Sequence, residues 1–234
     1  MIKKYETSIC SNQDGLELSV LWLEPEKEPK GILQISHGMS EYKERYLPFM
    51  RYLCERGYLC AIHDHRGHGK SVKYKSDLGY MYGGKDDALV ADLHQVSVWL
   101  KDRYPNLPFY MLGHSMGSYL VRRYLIYHGN RVDGAVIMGT GQQNLLLVKT
   151  GLLVTYLDMM RIGPKGHSKF LDQMTCSGFV RKFPDNRKTG SWVSRDPQVL
   201  IHTLQDPLMN FGFTLNAYEA LLRTIEEATD SRRV

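Results

Sequence analysis

Short apolar runs alternate with longer stretches of helical period along most of this chain. The runs fall at residues 32–35, 58–62, 109–112 and 132–138, and between them lie 44–56, 86–104 and 116–128. In the second of these longer stretches Leu89, Leu93, Val96 and Leu100 return on one helical face. Continuously apolar strands separated by amphipathic helices predict βαβ units around a parallel sheet covered on both faces. With right-handed crossovers, a doubly wound, mostly parallel α/β sheet is the expected fold. Gly57 and Gly129 stand where two of these helices should end. A hairpin is predicted ahead of the alternation: a strand over 5–10, turn residues Asn12-Gln13-Asp14-Gly15, and a returning strand over 16–23.

From 142 to about 213 the strand rhythm stops. Residues 145–148, 152–157 and Met159-Met160 predict apolar helices, followed by polar connections containing Gly and Pro. They read as a helical insertion over one edge of the sheet. Residues 214–228 predict a further helix, with Thr214 as N-cap and Leu215, Tyr218, Leu222 and Ile225 as its buried face. The expected organisation is a core over 1–141, a helical cap over 142–213, and a return helix over 214–234.

Composition narrows the class. With 234 residues, 43% hydrophobic and 24% charged, the chain has the material for one sizeable core. The net charge of +5 is scattered rather than clustered, so no nucleic-acid partner is expected. No transmembrane segment is expected either, since no stretch approaches the ~18 apolar residues a span requires, and the first residues lack a signal-peptide run. Cys10, Cys54, Cys60 and Cys176 show no CxxC pairing, which points to a reducing, cytoplasmic compartment.

The sharpest chemical signal is Gly113-His114-Ser115-Met116-Gly117, a G-x-S-x-G between a predicted strand and a predicted helix. That context is the one a nucleophile elbow needs: the glycines permit a tight turn that lifts the Ser115 hydroxyl above the sheet. The Met116 amide, at the helix start, then faces a developing oxyanion. A second amide should come from the loop after an earlier strand. His37-Gly38-Met39 follows the strand at 32–35, with Met39 N–H as the natural donor and His37 and Gly38 supporting the loop. A third cluster, His63-Asp64-His65-Arg66-Gly67-His68-Gly69-Lys70-Ser71, fails the phosphate-loop pattern because Asp64 stands where it needs glycine. It also departs from a binuclear H-x-H-x-D-H signature at Gly67. Zinc on His63, His65 and His68 is the alternative; a polar loop bracing the site rim is the preferred reading, with no metal and no cofactor.

Taken together, the motifs 37–41, 64–71 and 113–117 resemble, in order and spacing, the α/β-hydrolase family, and within it the monoacylglycerol lipase / lysophospholipase group that is also classed with serine aminopeptidases. Residues 194–197, 206–208 and 213–215 resemble that group's cap. The resemblance spans essentially the whole chain. It implies hydrolysis of a small acyl-ester or lysolipid substrate through a Ser115 acyl-enzyme, Met39 and Met116 as backbone oxyanion donors, and an apolar cap receiving the acyl chain.

One part of the pattern has no counterpart. In this fold the acid and the histidine base follow the serine in the order Ser, Asp or Glu, His, and in the resembled group they follow strands after the cap. The chain is therefore expected to be truncated after the cap, and the triad acid and base are carried over to no position. His128 lies about 20 Å along a helix from Ser115; His114 supports the site but should point away from the hydroxyl; His167 and His202, with Asp172, Asp196 and Asp206, fall in the cap region. Two alternatives follow: a catalytically impaired homologue acting as a lipid-binding or interaction module, and a metal-dependent hydrolase using the 63–68 histidines. The strand at 132–138 would be left as a bare apolar edge open to self-association.

Overall fold

The computed structural model describes residues 1–83, 87–182, 194–209 and 211–230, of which 176–182 as backbone only. The predicted helix start at Asp86, the Cys176 side chain and positions 231–234 lie outside the described residues.

Six strands form one sheet: β1 (Lys3–Cys10), β2 (Glu17–Glu24), β3 (Gly31–Ser36), β4 (Tyr58–His63), β5 (Phe109–His114) and β6 (Gly134–Met138), in the order β1-β2-β4-β3-β5-β6. The hairpin β1–β2 is antiparallel and joins β4 antiparallel, while β4, β3, β5 and β6 run parallel. The helices are α1 (Leu47–Cys54), α2 (Ala88–Arg103), α3 (Met116–His128), α4 (Leu145–Ile162), α5 (Lys169–Lys182), α6 (Pro197–Gln205) and α7 (Leu215–Thr229).

The period-2 alternation of β3 assigns the two layers. Leu33 and Ile35 pack with Met50 and Cys54 of α1, together with Leu21, Leu23 and Ile62. Ile32 points the other way, into a core with Leu89, Leu93, Val96 and Leu100 of α2, Leu120 and Tyr124 of α3, and Tyr218 of α7. Gln34 shares that second face and is fully buried, with its amide satisfied by Leu93 O at 3.1 Å and the Ser97 hydroxyl at 2.6 Å. Helices thus cover both faces, which is the doubly wound arrangement.

Several elements differ in detail from the pattern-based expectation. The stretch 44–56 is a 3-10 turn, Lys43–Tyr46, followed by α1; Pro48 lacks an N–H and suits a first helical turn, so the helix restarts there. The apolar segments after 145 are one helix, α4, because Thr150 returns its hydroxyl to Leu146 O and Gly151 does not interrupt the ladder. Gly129 ends α3 in a right-handed conformation (φ −58°) that leads directly into a 3-10 turn, whereas Gly57 uses the left-handed region (φ +92°). Thr214 occupies the N-cap of α7, but its hydroxyl bonds Gly79 O and Asn216 Oδ1 instead of the helix amides. Ile225 is half-buried, unlike Leu215, Tyr218 and Leu222. β6 begins at Gly134 rather than at 132, and no described strand pairs beyond it; Val136 and Met138 stand 54% and 47% exposed. No described helix is long and apolar enough to cross a membrane.

Candidate active site

Strand order brings two loops together. β3 and β5 are parallel neighbours, with Ser36 opposite Gly113, so the chain leaving β3 and the chain leaving β5 emerge side by side at the carboxyl edge of the sheet. In doubly wound sheets the crevice there is the usual place for ligands.

Ser115 sits between β5 and α3 with φ +52° and ψ −117°, a strained conformation for a residue with a side chain. The strain is enforced by close packing. A Cβ at Gly117 would come within 2.0 Å of Ser36 O, and one at Gly113 within 2.4 Å of Gly117 O, so neither position admits a side chain. The Ser115 amide bonds Met138 O of β6 at 2.9 Å, and the Ser115 carbonyl accepts the Ser118 amide and hydroxyl. Among the described residues, neither the Ser115 hydroxyl nor the Met116 amide has a hydrogen-bond partner.

The loop after β3 lies against this turn. A Cβ on Gly38 would stand 3.3 Å from Ser115 Cβ. His37 is fully buried and held at both nitrogens: Nε2 accepts from the His65 amide at 3.0 Å, which leaves Nδ1 to donate to Gly38 O at 2.8 Å. The Gly38 amide donates to Glu41 Oε1 at 2.5 Å, and the Ser40 amide to His68 Nε2 at 3.3 Å. The Met39 amide between them has no partner among the described residues. Two main-chain donors are thus uncommitted among the described residues, Met39 in the loop after β3 and Met116 at the start of α3.

His114, expected from the sequence as a site-supporting residue, joins the same network. Its Nδ1 lies 3.2 Å from Glu41 Oε1 and 3.1 Å from the Tyr46 hydroxyl, which itself donates to Glu41 at 2.8 Å. Burial works against a charge on Glu41, yet the bonds from His114 and Tyr46 hold its carboxyl down to about 2. Burial and that carboxylate push the Tyr46 phenol well up. Tyr46 belongs to no sequence motif, and Glu41 ends the 37–41 motif without a role legible from it. The available signal is spacing: a Glu three residues after Gly38 can reach back to its amide, as in a capping box.

Residues 63–71 brace the site from behind. Asp64 and Lys43 are both fully buried and pair at 2.8 Å, and Asp64 also accepts the amides of Lys43 and Lys70. Arg66, 1% exposed, joins Asp92 of α2 at 2.8 Å and Asp14 of the hairpin turn at 3.0 Å. His63, His65 and His68 are fully buried beside His37. Burial brings His63 and His68 down to about 3, lowers His65 well below its ordinary value, and lowers His37 in the same direction. These rings are neutral packing elements. No group of three His, Cys, Asp or Glu among the described residues is placed to hold a metal ion, and both His68 nitrogens are engaged, by Arg66 O and the Ser40 amide.

The other titratable candidates serve elsewhere. His128 stacks on His94 at 3.8 Å. His167 bonds Phe213 O at 3.0 Å, and His202 is exposed on α6. Asp172 accepts the Tyr218 hydroxyl, Asp196 caps α6 through the Gln198 amide, and Asp206 bonds Tyr42 and the Leu208 amide. None of them bonds Ser115.

Residues 27–233 match the family model described as serine aminopeptidase, S33. A monoglyceride lipase homolog of monkeypox virus is 35% identical over 112 residues, 48% of this chain and 39% of that protein. Human monoglyceride lipase is 34% identical over 107 residues, 46% and 34% of the two chains. The match thus spans well under half the length of these curated relatives. The crystal structure of a thermostable carboxyl esterase from Bacillus coagulans superposes with a TM-score of 0.86 at 25% identity, over 95% of this chain and 72% of that one.

Proposed function

The chain belongs to the serine aminopeptidase S33 family of α/β-hydrolases, in its monoacylglycerol lipase-like group, and from that membership we propose that it is a serine hydrolase of carboxylic esters. The substrate class we assign is a monoacylglycerol or lysophospholipid. Ser115 Oγ attacks the ester carbonyl carbon and its proton passes to a base; the tetrahedral oxyanion takes the Met39 and Met116 N–H groups. Collapse expels the alcohol, and water then releases the fatty acid from the acyl-enzyme. Supporting roles go to His37, Gly38, Gly113 and Gly117, which shape the two loops, and to His114 through Glu41.

The observation that carries this reading is Ser115 at φ +52° on a strand–turn–helix junction, with the Gly38 backbone packed against it. Residues 142–213 are read as the cap, whose exposed Leu146, Leu153, Tyr156 and Met160 offer apolar surface to an acyl chain. The bare β6 edge favours self-association, and free Cys10, Cys54 and Cys60 fit a reducing cytoplasm.

A second reading has its own observation. No described histidine or carboxylate bonds the Ser115 hydroxyl, so a lipid-binding module without turnover is the alternative. Fluorophosphonate labelling decides between them. Ser115-dependent labelling that disappears in Ser115→Ala, with release of fatty acid from monoacylglycerol, supports the hydrolase. Lysolipid binding with neither labelling nor turnover supports the module.

A further inference from the structure

We propose that Glu41 is the positioning residue of the 36–41 loop: its carboxylate ties the Gly38 backbone to the end of β5, keeping the Met39 N–H free beside Ser115. The proposal rests on the acyl-enzyme reading above and gives Glu41, named there only as the partner of His114, a role of its own.

Three observations converge on it. First, one oxygen, Glu41 Oε1, receives the Gly38 amide at 2.5 Å, the Tyr46 hydroxyl at 2.8 Å and His114 Nδ1 at 3.2 Å. Charge-assisted bonds of this kind are about twice as strong as neutral ones, and Arg45 Nε, 3.4 Å from the other oxygen, holds the carboxylate in place. Second, the carboxylate, Gly38 and the nucleophile are in direct succession. A Cβ on Gly38 would meet Glu41 Oε1 at 2.7 Å and Ser115 Cβ at 3.3 Å. Glutamate therefore occupies the space that the absent side chain at 38 leaves, one residue before the donor amide. Third, beyond the β3–β5 ladder itself, the other hydrogen-bonded anchors of this loop do not reach the end of β5. His37 and Ser36 bond His65, and the Ser40 amide bonds His68, in the loop after β4, while the Ser40 hydroxyl donates to Phe211 O at 2.8 Å. Glu41 bonds His114, the residue preceding Ser115. Glu41 is thus the side-chain link between the residues after Gly38 and the residue before the serine.

The division of donors follows. With Gly38 N–H taken by Glu41 and Ser40 N–H by His68, Met39 N–H is the one left to meet charge arising at the substrate. Ser40 itself holds φ +54°, a conformation that persists only where its surroundings impose it. Losing the Glu41 bond frees Gly38 to rotate and the Met39 amide with it. The loss falls on the transition state rather than on ground-state binding.

The test is fluorophosphonate labelling of the full chain, resolved into reversible affinity and maximal labelling rate, at a temperature where each variant is folded. Glu41→Ala is expected to lower the maximal rate about fifty-fold, short of the roughly 10²–10³ lost with a whole oxyanion donor, at unchanged reversible affinity. Glu41→Gln, which keeps the volume and one acceptor oxygen, should recover most of the rate and remain about five-fold below wild type. A folded Glu41→Ala protein that labels at the wild-type rate, or loses only affinity, overturns the proposal. If Glu41→Ala does not fold, Glu41→Gln decides: a wild-type rate overturns it and the about five-fold loss supports it. The Met39 amide resonance, read in ¹⁵N-methionine protein and assigned with Met39→Leu, is the independent measurement. It should shift in the position-41 variants. If the wild-type chain takes no label, the acyl-enzyme reading fails on its own, and an unmoved Met39 resonance would still overturn the role of Glu41.

Discussion

The carboxyl edge of the sheet and the helices that follow β6 are built on opposite terms. Around Ser115 the chain is dense with polar groups, and most are committed. Lys43, Asp64, Arg66, His37 and His68 are all within 1% of full burial, and each has named partners. Across α4 the reverse holds: Leu146, Leu153, Tyr156, Met160 and Ile162 are more than half exposed, and the helix buries little beyond Val148, Gly151 and Thr155. The contrast teaches where geometry is over-determined. A buried hydrogen-bonded network has one low-energy arrangement, since any displacement leaves a desolvated group unpaired. An apolar exposed face has no such penalty and can change its partner.

If that contrast is right, the largest effect belongs to the elbow. Gly117→Ala places a methyl group 2.0 Å from Ser36 O and should lower unfolding stability by about 4 kcal/mol or more, measured by denaturant titration. Lys43→Ala comes next. It leaves the buried Asp64 without its cation, held by two backbone amides alone, and should lose about 3–5 kcal/mol, while an exposed control such as Lys149→Ala stays within about 0.5 kcal/mol. Equal losses for the two lysines would erase the distinction between the regions.

Acid titration probes the same network more gently. His63 and His68 are brought down to about 3 in the folded chain but titrate near 6.5 when unfolded. The unfolded state therefore binds more protons between those values. Stability should be full above pH 6.5 and fall as the pH drops towards 3, by about 2 kcal/mol per ring at pH 5. Glu41, held down to about 2, adds a loss in the same direction below about pH 4.5. Denaturant midpoints that stay level from pH 7 to pH 5 would contradict the neutral packing role of these histidines.

The smallest effects are expected on the exposed surfaces. Leu153→Ser should change stability by less than about 0.5 kcal/mol, yet weaken lysolipid affinity if the cap receives the acyl chain. Val136→Lys, on the unpaired edge of β6, should leave the fold intact and reduce any concentration-dependent association seen by sedimentation. Association unchanged by this substitution would remove β6 as the contact.

Local pattern carried a great deal of this. The runs at 32–35, 58–62 and 109–112 lie within β3, β4 and β5, and α3 spans Met116–His128, as its period predicts. Gly113, Ser115 and Gly117 were legible because an elbow depends on neighbours in sequence: a strand, a turn without side chains, and a helix start. The 63–71 cluster was legible only as polar, since its histidines take their character from burial, which the sequence does not state. Glu41 stands in the 37–41 motif with no role legible there, because its meaning comes from His114, 73 positions away.

The sequence by itself determined the glycine-flanked turn at Ser115 and the succession of strands and helices along the chain, because backbone sterics and apolar period act over a few residues. Which charges would be buried, and which amides would be left free, was decided by the tertiary structure. Lys43 meets Asp64 and Gly38 meets Ser115 only once β3 lies between β4 and β5. Desolvation is a property of what surrounds a group, and those surroundings come from distant parts of the chain.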